Sequence, residues 1–386
     1  MCGGSWEVAC DHAGAGRHPD ICHGKNRGWV KSPSRFPRSY GVVPEEGDSV
    51  FLFMDTGMRL SPGCDEVPQG TMKRIISVSR RTDIPAFYGN WLMRRIREGF
   101  VGVVNPFGGQ RYRVSLKPED VACLVFWSKD FTPFLAHLEI LDRLGYRFYF
   151  NYTVTALPSV FESDVDKPAA LRTLKHLAER YSPAQINWRF DPIILSSISD
   201  EAFYVRAFES LASELEGLVE RCCFSFVAFY GKVRRNFKDL ERTRGVRVAE
   251  PSEEVRIDLA NQLAQIATMH GITMHSCCGD YLLGEKIRKA HCIDGALIER
   301  LFGPCEIAYK DKGTRPQCGC TESTDIGTYD TCPHGCAYCY ANANKPTARQ
   351  SFEHHAPDSA FLGCTRAQSD AWLTELREDF RFPSAQ

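Results

Sequence analysis

From residue 75 onward, short β-type runs alternate with amphipathic helical stretches, and this alternation constrains the fold more than any other feature of the sequence. The runs are Ile75–Arg80, Val101–Asn105, Ala122–Lys129, Arg147–Thr155, Ile186–Ile194, Cys222–Phe229 and Ile272–Cys277. They are rich in Val, Ile, Phe, Tyr and Thr and almost continuously apolar, the pattern of strands covered on both faces. Between them lie helical stretches at Tyr88–Glu98, Phe131–Leu144, Pro168–Tyr181, Asp200–Gly217 and Glu253–His270. In the last, Val255, Ile257, Leu259, Leu263, Ile266 and Met269 track one face. Gly145 and Gly271 stand where helices should end before the next strand. Such alternation predicts an α/β fold with a parallel sheet. Seven strands, with an eighth at Asp325–Tyr329, suit a TIM-barrel-like (β/α) fold, whole or partial. An open doubly wound sheet is the alternative, although no dinucleotide-type glycine turn is present.

The chain has 386 residues, 43% hydrophobic and 25% charged, enough for a full core without staples. This excludes a disordered chain, a fibrous protein and a small disulfide scaffold. Lys and Arg number 47 against 48 Asp and Glu, for a formal charge of −1, so the whole molecule is no basic nucleic-acid glove. No apolar run reaches the roughly 18–20 residues of a membrane span. The N-terminus MCGGSWEVACDHAGAG has no basic-then-apolar leader, which points to a cytoplasmic protein without a membrane partner. Residues 1–71 are rich in Gly, Pro, Ser and Asp and read as a partly ordered extension, with free thiols at Cys2, Cys10, Cys22 and Cys64. The barrel is expected over 72–345 and a helical tail over 346–386, its helix at Gln368–Phe380.

Sites of parallel α/β folds lie at the C-terminal ends of the strands, and here those ends are polar. The first closes on Ser79-Arg80-Arg81-Thr82-Asp83, the second on Asn105, the third on Trp127-Ser128-Lys129-Asp130. The fourth carries Asn151, Thr153 and Thr155 on one face, and the fifth Asn187, Arg189 and Asp191. His275 and Cys277 close the seventh. Arg80, Lys129 and Arg189 could hold a carboxylate or phosphate. A structural ion pair between Arg189 and Asp191 is the plainer alternative.

Seventeen cysteines is a high and odd number, and in a reducing compartment clustered cysteines mean metal or redox chemistry more often than disulfides. The sharpest cluster is TCPHGCAYCYAN at 331–342, in which Cys332, Cys336 and Cys339 are spaced C-x3-C-x2-C. Three thiolates so close in sequence can wrap one face of a [4Fe–4S] cube, with Gly335 turning the backbone between them. Three ligands leave one iron open, unlike a four-cysteine electron carrier. Zinc competes, but usually takes paired C-x2-C elements and four ligands. A second set follows the later strands: Cys277, Cys278, Cys292, Cys305, Cys318 and Cys320. Cys277, Cys292, Cys318 and Cys320 are the choice for an auxiliary iron–sulfur cluster, with zinc as a middle reading; Cys278 and Cys305 read equally well as buried small hydrophobes.

The C-x3-C-x-aromatic-C pattern of Cys332, Cys336, Tyr338 and Cys339 resembles the signature of the radical S-adenosylmethionine (radical SAM) superfamily. The wider chain, over about 72–345, resembles the family called domain of unknown function eighteen-forty-eight, through IISVSRRTDIP at 75–85, FWSKD at 126–130, WRFDP at 188–192 and DIGTYDTC at 325–332. WRFDPII at 188–194 also looks like a segment of the spore photoproduct lyase-like branch. The resemblance implies a TIM-barrel-like fold and a cluster that binds S-adenosyl-L-methionine and makes a 5′-deoxyadenosyl radical on an unknown substrate. It implies an electron donor such as flavodoxin or ferredoxin. Tyr338, Asn342, Asn105 and Thr153 are then candidates for cofactor binding, and Arg80, Lys129, Arg189 and Asp191 for the catalytic pocket. In that superfamily the cysteine loop usually follows the first strand. A circular permutation would account for its place here, with Asp325–Tyr329 the preceding strand, lying beside Ile75. The other readings are a non-catalytic zinc or closed-cluster protein and a nucleic-acid-binding repair-type protein. The last would use Lys232–Arg247, seven basic residues against two acidic, which otherwise reads as a solvated helix face. Phe224, Phe226, Phe229 and Tyr230 read as core.

Overall fold

The computed structural model describes residues 72–379 apart from 163, 164, 306, 308 and 309. The extension expected at 1–71 lies outside the described residues.

Eight strands form one sheet in which every pairing is parallel. They are β1 (Arg74–Val78), β4 (Val121–Ser128), β5 (Phe148–Thr153), β6 (Ile186–Ile193), β7 (Arg221–Phe226), β8 (Thr273–Ser276), β9 (Ile287–Lys289) and β10 (Thr324–Asp325), in the order β10-β1-β4-β5-β6-β7-β8-β9. Helices α1 (Ile84–Phe87) and α2 (Gly89–Glu98) lie between β1 and β4, and α3 (Leu135–Arg143), α4 (Lys167–Arg180) and α5 (Glu201–Leu215) follow β4, β5 and β6. Helices α6 (Gly231–Arg244) and α7 (Glu253–Met269) join β7 to β8, α8 (Gly295–Phe302) follows β9, and α9 (Lys345–Glu353) and α10 (Arg366–Asp379) end the chain. Side chains start α5 and α7: Asp200 accepts from Phe203 N at 2.8 Å on α5, and Ser252 from Val255 N at 3.4 Å on α7. Gly145 and Gly271 take positive φ, 77° and 68°, where helices give way to β5 and β8.

Two sequence expectations are corrected. Val101–Asn105 is not in the parallel sheet. Its core is β2 (Phe100–Val104), paired antiparallel with β3 (Arg111–Ser115) in a separate hairpin. An apolar run of five residues reads alike in either setting, and the hairpin turn at 105–110 decides which one forms. The parallel sheet instead gains β9, whose sequence IRK is too short and polar to signal a strand. The strand expected at Asp325–Tyr329 is the short β10, and it does pair with β1, Ile76 opposite Thr324 and Ser77 opposite Asp325.

The strand order never reverses, which is the winding of a barrel and not of a doubly wound sheet. The sheet is nevertheless open in its pairing, with β9 and β10 as its edges. One backbone hydrogen bond, Thr321 N to Ile293 O at 2.9 Å, links the chain just beyond β9 to the chain just before β10.

Side chains alternate between two cores. Ile76, Val78, Leu124, Phe126, Phe148, Phe150, Trp188, Phe224 and Met274 face the main core with α1 to α7. On the other face, Ile75, Cys123, Val125, Tyr149 and Cys223 pack against Ala290, Cys292, Ile293, Leu297, Ile298 and Cys320, so the chain between β9 and β10 covers that face. Helix α10 lies on the hairpin, where Trp372, Leu373 and Leu376 meet Phe100, Val104 and Phe361. Tyr230 is not core: it is 44% exposed. No helix among the described residues is long and apolar enough to cross a membrane.

Candidate functional site

After β10 the chain runs into a loop, 326–344, that crosses the C-terminal end of the sheet and is pinned by residues that follow three other strands. From beyond β1, Asp83 caps α1 through Ala86 N at 3.1 Å and also accepts from Ser128 Oγ at 2.6 Å, Lys129 N at 2.8 Å and the His334 Nε2 side at 2.7 Å. It thus ties the ends of β1 and β4 to the loop. Thr82 meets Thr331 hydroxyl to hydroxyl at 2.5 Å, Tyr88 OH donates to Thr331 O at 2.7 Å, and Tyr340 OH donates to Arg80 O at 2.7 Å. From beyond β5, Phe161 O accepts from Ala337 N at 3.0 Å and Glu162 accepts from Tyr338 OH. From beyond β7, Lys232 Nζ donates to Tyr340 O at 2.6 Å and Asn236 Nδ2 to Ala337 O at 2.8 Å. The loop is closed on itself by Asp330 N to Ala341 O at 3.1 Å and Asn342 Nδ2 to Cys332 O at 2.7 Å. Gly335, at φ 67°, makes the turn between the first two cysteines, a conformation costly for any residue with a Cβ.

This folding brings Cys332, Cys336 and Cys339 together. The Cys332 and Cys336 thiols each lie within electrostatic range of Cys339. Burial raises all three thiols, Cys336 to about 12, while the ammonium of Lys129 draws Cys336 and Cys339 down and that of Lys232 draws Cys339 down. Glu162 is 2% exposed. Burial pushes its carboxyl up, but Lys129 at 2.6 Å, Thr155 Oγ1 at 2.6 Å and Tyr338 more than offset that and hold it at about 2. Lys129 lies 5.5 Å from the Tyr338 ring and stays charged, because the Glu162 carboxylate outweighs its burial.

On the second face of the sheet the structure assembles another group of thiols. Cys277 lies 3.8 Å from Cys292 and 3.9 Å from Cys278. Cys318 lies within electrostatic range of Cys278 and Cys320, and Cys320 of Cys292. The five thiols are thus arranged around a ring, with Cys223 near Cys292. The ring draws on three segments: the end of β8, the chain after β9, and the chain before β10. Gly319 leaves room there for the His291 ring, which would have to shift for a Cβ at 2.9 Å. Arg189 Nη1 donates to Cys292 Sγ at 2.8 Å, Arg315 Nη2 reaches Cys277 Sγ at 3.9 Å, and Ile293 N donates to Cys320 Sγ at 3.4 Å.

Among the described residues no three His, Cys, Asp or Glu side chains form a shell that would hold a single metal ion. A cube of irons and sulfides is bound at its corners, so its ligands stand apart and need not converge on a point. The loop fits such a group in kind: three thiols of which Cys332 and Cys336 each lie near Cys339, two ammonium groups to balance thiolate charge, and buried polar atoms without partners in the loop itself, Asn342 Oδ1 and His334 Nδ1.

Most of the residues singled out from sequence gather at these two groups. Arg80 pairs with Asp325 at 3.7 Å and feels Cys292, Cys320 and Tyr340, so it stands between ring and loop. Arg189 pairs with Asp191, and both Arg80 and Arg189 lie over Trp127, at 5.8 and 4.8 Å. The ion pair considered as the plain reading of Arg189 and Asp191 is present, and Arg189 holds a ring thiol as well. Ser225 Oγ reaches Asp191 at 3.4 Å. Thr153 ends β5 opposite Arg189, and Asn151 Nδ2 donates to Cys292 O at 3.0 Å. Asn105 is a correction. Since β2 left the parallel sheet, its side chain serves the hairpin turn, accepting from Phe107 N at 3.0 Å. The basic stretch is α6: Lys232 and Asn236 hold the loop, while Arg234, Arg242 and Arg247 pair with Glu250, Asp239 and Glu241.

Sequence reading missed Glu162, which follows a proline-containing loop with no period. It treated Asp83 only as a polar strand end and did not select Cys278 or Arg315. The adjacent pair Cys277-Cys278 was the one available signal for the ring's fifth member.

Fold and site together define a parallel α/β protein with one cysteine loop across the end of its sheet and a ring of thiols against the sheet's second face. The chain belongs to the family described as Domain of unknown function (DUF1848), whose model matches residues 75–341 and so includes both groups. No curated protein matches it.

Proposed function

We propose that the chain is an iron–sulfur enzyme of the radical SAM type, in which Cys332, Cys336 and Cys339 hold a [4Fe–4S] cluster with one iron open to S-adenosyl-L-methionine. The observation that carries this reading is the loop itself: three neighbouring thiols spaced C-x3-C-x2-C, fixed at the C-terminal end of an unreversed parallel sheet. On this reading the sheet is an open barrel, and a circular permutation accounts for the order, with β10 and the cysteine loop beside β1. Held by Cys332, Cys336 and Cys339, such a cluster would supply one-electron reductive cleavage of a bound sulfonium and so a carbon-centred radical for hydrogen abstraction, with the electron drawn from a flavodoxin- or ferredoxin-type donor.

The chain's own residues do the positioning. Asp83 and Glu162 clamp the loop through His334 and Tyr338, so the thiols keep their places before the cluster is built. Lys129 and Lys232 offset the negative charge of the thiolates. We assign Asn342, whose Oδ1 is buried without a donor, as an acceptor for the ammonium of the methionine moiety. Arg80 and Arg189, around the buried and unpartnered Trp127 indole N–H, supply fixed positive charge for a substrate bearing a carboxylate or phosphate, and Asp191 orients Arg189.

The test is anaerobic reconstitution followed by reduction with S-adenosyl-L-methionine and no substrate. Slow release of 5′-deoxyadenosine that disappears in Cys336→Ala is expected. A reconstituted, reduced protein that leaves S-adenosyl-L-methionine intact contradicts the reading.

A further inference from the structure

The ring of thiols is not used by the loop chemistry, yet it is built with more care than five spare cysteines require. We propose that Cys277, Cys278, Cys292, Cys318 and Cys320 supply the ligands of a second iron–sulfur cluster, separate from that of the loop.

Four observations carry this. The first is convergence: the connection from β9 to β10 leaves the sheet and returns so that Cys320 comes back beside Ile293, next to Cys292, and Thr321 N to Ile293 O at 2.9 Å fixes that return. The second is charge. Arg189 donates to Cys292 Sγ at 2.8 Å and Arg315 reaches Cys277 Sγ at 3.9 Å. A guanidinium cannot shed its charge, so its burial beside sulfur is compensated when the sulfur is a thiolate, the form that binds metal. The third is the backbone N–H of Ile293 aimed at Cys320 Sγ at 3.4 Å, the kind of N–H···S contact that stabilises cluster sulfur and tunes its potential. The fourth is access. A cavity of about 150 Å³ lies at the Cys277–Cys278 edge, lined by Arg256, Tyr281 and Arg315, whereas Cys292 and Cys320 on the far side are buried. Two of the three non-glycine residues with positive φ among the described residues, Cys278 at 58° and Gln317 at 61°, sit in the ring segments. Thiols 3.8–3.9 Å apart also match the edge of a tetrahedral zinc site, so zinc is the competing occupant, and the metal bound decides between them.

The experiment separates this centre from the loop. The full chain carrying C332A/C336A/C339A is reconstituted anaerobically with iron and sulfide beside the wild type. If both centres form, the wild type holds about eight irons and the triple variant about four, on the basis of four per cubane. If the loop reading fails and this one holds, both proteins carry about four. The variant carrying C292S/C320S should lose its ring iron whichever is true of the loop. Should that variant fold poorly, alkylation of the triple variant gives an independent readout. The partly exposed Cys277, Cys278 and Cys318 should be labelled in the folded iron-free protein and protected after reconstitution. A folded triple variant with no iron overturns the proposal, and so does one that holds a single zinc or a disulfide among these five cysteines instead.

Discussion

The two cysteine groups are built on opposite principles. The loop at 332–339 is local in sequence: its three thiols are near one another because eight residues hold them all, and the fold only pins the loop in place. The ring is non-local, and no two of its three segments would meet without the sheet between them. The surrounding charges differ as well. Carboxylates and ammonium groups, Asp83, Glu162, Lys129 and Lys232, surround the loop, whereas guanidinium groups, Arg189 and Arg315, touch the ring. A loop held by its neighbours can lose one clamp and still present its thiols. A ring assembled from three segments depends on the whole connection from β9 to β10.

This contrast sets a graded series of outcomes. The largest effect is expected from the loop thiols. Cys339→Ala should abolish cleavage of S-adenosyl-L-methionine, whereas C292S/C320S should leave the loop cluster's response to that ligand in place, as read by EPR on the reduced protein.

Next comes the seam that carries the loop. Asp325 accepts from Ser77 at 2.9 Å, Ser79 at 2.5 Å and Arg80 N at 2.9 Å, and faces the guanidinium groups of Arg80 and Arg81. Asp325→Asn should cost about 3–5 kcal/mol, since it leaves buried cationic groups unpaired, measured as a shift in the urea midpoint. Burial pushes the Asp325 carboxyl up, but the two guanidinium groups and the hydrogen bonds hold it below the usual carboxylate range. With a depressed folded value, its stabilisation is present above the unfolded value, about 3.9, and is lost as pH falls through the folded one. Wild type should therefore destabilise steeply below about pH 4, and the Asn variant less so over the same window.

Glu162→Gln removes the partner of Lys129 without removing a ligand. A loss of about 10–100-fold in loop iron affinity or activity is expected, the usual range for residues that orient ligands, with ring iron unchanged. The smallest effect should come from Asn236→Ala, which deletes one hydrogen bond to Ala337 O. About 0.5–1.5 kcal/mol of stability is at stake, and iron content should not change.

Much of this was legible in the sequence, for reasons that differ by region. β5 and β6 announce themselves because strands buried on both faces are almost continuously apolar, and the period of two put Asn151 and Thr153, then Asn187 and Arg189, on the face they occupy. The hairpin was not legible as such: FVGVV at 100–104 looks like a buried parallel strand, while its partner RYRVS is half polar. The loop cysteines were found by spacing alone. The ring was found in part, four of five members, because Cys318-Gly319-Cys320 is a visible pair whereas the sequence does not say which other thiols fold against it. Glu162 and Asp83 left little trace, since a buried carboxylate is defined by partners that the fold brings from other elements.

EPR of the reconstituted, reduced protein, recorded with and without S-adenosyl-L-methionine, tests the central claim most directly. The account predicts two overlapping cluster signals, of which the one lost in C332A/C336A/C339A changes shape when the ligand is added while the other does not. If no signal responds to the ligand, or if the responsive signal survives in that triple variant, the assignment of Cys332, Cys336 and Cys339 to the reactive centre is contradicted.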